Sequence, residues 1–114
     1  MTIKHEANHT AEFLISEGSG QISREAITVT AGDALPAGQV LGIETASGEY
    51  APYSNAANDG TEVAVGVLYA PLPASANARA GVAVVRLAEV SAARLTGIDT
   101  AGAADLKARN IIVR

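Results

Sequence analysis

At 114 residues, with no cysteine, no tryptophan and a formal charge of −4, the chain has the length of one domain. The missing cysteine excludes disulfides, thiolate catalysis and cysteine-based zinc sites. The acidic balance, with Lys4 and Lys107 far apart and the arginines scattered singly, argues against a nucleic-acid partner, which needs clustered cations.

A chain of this size buries roughly 65% of its unfolded surface. The core is thin in large side chains: there is one Phe and one Met, and much of the apolar content is Ala and Val. Each fully buried large aliphatic contributes about 1.5–3 kcal/mol. Backbone ordering opposes this by roughly 1–2 kcal/mol per residue, so burying further surface in an oligomer would help. The N-terminus lacks the continuous apolar core of a secretory signal, and no run approaches the about 18 apolar residues of a membrane span. The expectation is a soluble protein made in the cytoplasm, without a membrane partner.

Residues 1–20 hold one apolar triplet, Phe13-Leu14-Ile15, closed by a Ser/Gly-rich stretch that reads as a flexible link. Two readings stand: a solvated tail, or an arm that orders by adding a strand to a partner's sheet edge. In the second, chemistry selects Phe13, Leu14 and Ile15 as the anchors. Residues 21–30 read as a strand with Ile27 and Val29 on one face and Thr28 and Thr30 on the other. Turns follow at Ala31-Gly32-Asp33 and Leu35-Pro36-Ala37-Gly38.

The stretch 37–68 organises the chain. Val40, Leu41 and Ile43 form a strand, and Ala46-Ser47-Gly48-Glu49 a tight turn with Gly supplying positive φ. Tyr50 to Tyr53 return, and Asn58-Asp59-Gly60 turns again. A strand from Val63 to Tyr69 is apolar on both faces, as a buried central strand should be. Pro71 and Pro73 stop it, and residues 74–81 form a small polar connection. Residues 82–90 read as one strand, with Ala83, Val85 and Leu87 on one face and Arg86 on the other. Residues 91–97 fit either a strand end or a helix start. Residues 100–109 read as a helix capped by Asp99 or Thr100, weakened by Gly102 by about 1 kcal/mol relative to Ala, with Asn110 as a left-handed cap. Ile111, Ile112 and Val113 form a last strand. The fold class expected is α+β, mostly β, with one short helix near the C-terminus.

No constellation for catalysis stands out. His5 and His9 have the spacing of two metal ligands on a helix face, but the flanking sequence is a poor helix and a third ligand is wanting. A Ser-His-Asp triad would have to recruit that same N-terminal segment. Asp33, Glu44, Glu49, Asp59 and Glu62 fall in or beside turns, where a solvated carboxylate is the ordinary role. Gly turns beside small-residue strands also occur in lipoyl carrier domains, yet neither lysine sits at a hairpin tip. Tyr50, Tyr53 and Tyr69 suit half-buried packing with the hydroxyl on a polar partner. No catalytic residue, metal or cofactor is expected.

The central block resembles the head decoration, or capsid cement, proteins of lambda-like tailed phages. The residues that carry the resemblance are Val40-Leu41-Gly42, Ser47-Gly48, Tyr50 to Tyr53, Asp59-Gly60 and Ala64 to Leu68. A weaker likeness extends to the last twenty residues. It implies a structural virion protein without enzymatic activity: a homotrimer on the outside of the expanded head at three-fold sites, clamping the major capsid protein against packaging pressure. It also implies that residues 1–20 are a capsid-contacting arm, and residues 21–114 the β-rich domain. Other readings are a different virion or baseplate interaction module, or a small enzyme or carrier.

Overall fold

Strand β2 (Arg24–Val29) shows the clean alternation expected of it, with Ile27 and Val29 buried and Ala26 and Thr28 exposed. The computed structural model describes residues 9–20 and 22–114. In chain order the other elements are β1 (Leu14–Glu17), β3 (Val40–Ile43), β4 (Tyr50–Pro52), β5 (Gly66–Leu68), β6 (Arg79–Val84) and β7 (Ala88–Val90). A 3-10 turn (Ala92–Arg94), α1 (Thr100–Lys107) and β8 (Ile111–Val113) complete them. The domain is small and mostly β, with its helix near the C-terminus, as the sequence suggests.

The strands form a barrel and a sheet. β2, β4, β3, β5 and β6 close in that order, β6 returning antiparallel onto β2 from Arg24↔Val84 to Val29↔Arg79. β4 meets β2 in parallel at one pair, Val29↔Tyr50. The three-stranded sheet runs β1-β7-β8, with β1 antiparallel and β8 parallel to β7.

This layout explains why β3 and β5 are apolar on both faces. Leu41 and Leu68 join Ile27, Val29, Leu35, Ala83 and Val85 in one core cluster. Their neighbours Val40 and Val67 join the other, with Phe13, Val84, Val90, Leu106 and Ile111. Adjacent residues thus serve the barrel interior and the layer between barrel, sheet and helix. The expected turns are present, with Gly48 at φ 72° and Gly60 at φ 108°.

Three expectations are corrected. The strand drawn from Val63 to Tyr69 is only Gly66–Leu68. Val63 is 45% exposed, and the Ala64 N–H donates to the Asp105 carboxylate instead of a ladder partner. The connection drawn to residue 81 ends early, because β6 begins at Arg79. Arg79 is buried, and its guanidinium donates to the carbonyls of Thr30, Asp33 and Pro73, tying three loops together. Finally, residues 82–90 are not one strand. Leu87 takes φ 51°, a conformation that costs a branched residue about 1–2 kcal/mol, and the chain leaves the barrel for the sheet there. The Leu87 carbonyl accepts from the Gly18 N–H at 2.9 Å and the Ser23 hydroxyl at 2.8 Å, which holds the kink.

Candidate interaction surface

The structure divides the three residues expected as anchors. Phe13 is fully buried in the layer between barrel and sheet. An aromatic ring there is core, and in this fold it is not available to a partner. Leu14 is half-buried against the same cluster, and Ile15 is 51% exposed on β1. The expected boundary at residue 20 therefore falls after a strand that belongs to the sheet. β1 pairs with β7 on one side, and among the described residues its other edge has no strand partner. Such an edge is a template for an added strand.

The chain ahead of β1 is fastened where the structure first describes it. The Ala11 N–H donates to the Tyr69 carbonyl at 2.9 Å, and Glu12 pairs with Arg94 at 3.1 Å. Arg24 pairs with Glu17 and lies over the Tyr69 ring, 4.2 Å from its centroid. His9 donates its backbone N–H to the Glu12 carboxylate. His5 and Lys4 lie outside the described residues. Among the described residues, no three His, Asp or Glu side chains come together as a metal site requires.

The helix is held to the barrel by polar contacts. The Asp99 carboxylate accepts from the Gly102 N–H at 2.7 Å, capping α1, and from the Tyr53 hydroxyl at 2.8 Å. A Cβ on Gly102 would come within 3.0 Å of the Tyr53 ring, so the glycine that weakens the helix allows this close approach. Burial, and then the hydrogen bond to Asp99, push the Tyr53 phenol up to about 12 from its ordinary 10.0. A raised folded-state value favours the neutral phenol. Its contribution is complete below pH 10 and is lost as pH rises from 10 through about 12. Tyr53→Phe is expected to cost about 1 kcal/mol at neutral pH. It is also expected to flatten the alkaline loss of stability between pH 10 and 12 in thermal melts. Equal alkaline slopes for the two proteins would contradict this assignment.

Three of the turn carboxylates bond within their own turns. Asp59 accepts from the Thr61 hydroxyl at 2.6 Å and the Thr61 N–H at 3.0 Å. These bonds hold its carboxyl below the usual range. Glu44 accepts from the Ser47 hydroxyl, and Glu62 from the Gly60 N–H. These are turn-stabilising bonds, and among the described residues they do not gather the carboxylates around a nucleophile. The Glu44 and Asp59 turns touch through the Thr45 N–H and Asp59 carbonyl at 2.8 Å.

The charge bias was readable in the sequence: no Lys, Arg or His occurs from residue 25 to residue 78. The placement of Phe13 was not, because a lone apolar triplet in a polar segment looks the same on a tail or in a core.

The family model of the bacteriophage lambda head decoration protein D matches residues 3–111, nearly the whole chain. No curated protein matches the chain.

Proposed function

Because the chain belongs to the head decoration protein family, a family of structural phage capsid proteins, we propose that it binds the outside of the expanded phage head as a homotrimer at three-fold sites. There it clamps neighbouring copies of the major capsid protein against packaging pressure. The observation that carries this reading is the family match over residues 3–111. The capsid-contacting arm is the segment ahead of β1, with Ile15 as the exposed apolar residue nearest its base. Phe13 and Leu14 secure that base to the domain rather than touching the shell. Three arms on one trimer act together, so avidity exceeds any single contact by orders of magnitude.

Sites that appear only on expansion couple binding to the mature shell and stabilise it by mass action. Expanded heads carrying the protein are therefore expected to survive heating that disrupts undecorated heads, and unexpanded shells to gain nothing. Equal heat survival with and without the protein would count against the cement role.

A further inference from the structure

Charge is segregated along this chain. Residues 25–78 carry six carboxylates and no cation, whereas residues 79–114 carry six Lys or Arg against three carboxylates. The fold sets part of this segregation on two flanks of α1. Gly102 and Leu106 face the core. Asp105 lies to one side of that line and holds the loop of Val63 through the Ala64 N–H at 3.1 Å. On this loop Val63 is 45% exposed, and Asp59 and Glu62 are close to it in sequence. Ala103 and Lys107 lie to the other side. With Ala104, Ile112 and Val113 they line a shallow apolar groove of about 270 Å³ beside the outer edge of β8. Lys107 is exposed and has no ion-pair partner among the described residues. Nor do Glu44, Glu49, Asp59 or Glu62 have one.

We infer that the acidic Val63 loop of one copy docks into the α1–β8 groove of a second copy. The two surfaces match in chemistry: an apolar side chain flanked by carboxylates meets an apolar groove rimmed by a cation. At a net charge of −4 two copies repel on average, so a contact that sets carboxylates against a cation is favoured over one that faces like charges. The surfaces are different patches on opposite flanks of one helix, so the contact is head-to-tail rather than self-complementary. A head-to-tail contact either closes into a ring or continues as a filament. Closure at three rests on the decoration role proposed above, and it would leave no copy with an unfilled groove.

The chain has no cysteine, which allows a direct test. Val63→Cys and Ile112→Cys, a groove residue on β8 rather than beside Asp105, are made singly and together, treated with a short bis-maleimide and run on a denaturing gel. The double variant is expected to give linked species ending at three copies, and each single variant to stay monomeric. A double variant that stays monomeric, or a Val63→Cys chain that links to itself, would overturn the assignment. Adding Lys107→Glu to the double variant is expected to lower the linked yield about tenfold, and Glu62→Lys to restore it. An unchanged yield would remove the charge pairing from the interface. Rings formed by a protein that does not bind heads would leave the interface standing and remove the decoration role. Heads bound by a protein whose variants do not link would do the reverse.

Discussion

Replacing Phe13 with alanine is expected to destabilise the folded chain by about 3–5 kcal/mol. Phe13 has no exposed surface, and it packs with Val90, Leu106 and Ile111, which come from β7, α1 and β8. It is the only Phe in a chain with no Trp, so no comparable side chain stands by to refill the gap. The cavity would open where the sheet and helix meet the barrel, which sets the cost at the large end for a truncation. Urea or thermal unfolding would read it, with a fall in melting temperature of more than about 10 °C. Ile15→Ala, two residues away and 51% exposed, is the control and is expected to stay within about 0.5 kcal/mol of the parent. Equal stabilities for the two variants would mean that Phe13 is not core.

Deleting residues 1–8 is expected to leave the fold intact and to weaken head binding by at least about 100-fold. The eight strands, α1 and both core clusters described above are built from residues 13–113. The melting temperature should therefore hold while decoration fails. The length of the cut matters. Removal through residue 20 would also take Phe13 and β1, and a loss of binding would then report unfolding as readily as a lost arm. Undiminished binding by a folded chain starting at His9 would rule out the arm.

Local signals explain what the sequence made legible. The β3–turn–β4 hairpin was readable from Gly48, and the helix from Asp99 and Asn110, the latter at φ 63°. These features are decided by residues within a few positions of each other. The barrel closure was not legible, because it depends on pairs such as Arg24↔Val84 that have no local signature. The break at Leu87 was hidden for the same reason. A stretch of nine residues, seven of them apolar, reads as one strand, and the bonds that bend it come from Gly18 and Ser23. Arg79 likewise looks like any surface arginine until Thr30, Asp33 and Pro73 present their carbonyls to it. On the interaction surface, the acidic stretch was in plain view, whereas the groove needed α1 and β8 to be brought side by side.

The most direct test of the decoration role is a binding count. Purified protein is mixed with expanded, undecorated heads of its own phage, the heads are pelleted, and bound copies are measured as the protein is increased. Saturation at three copies per local three-fold site is the predicted result. No binding to expanded heads would contradict it.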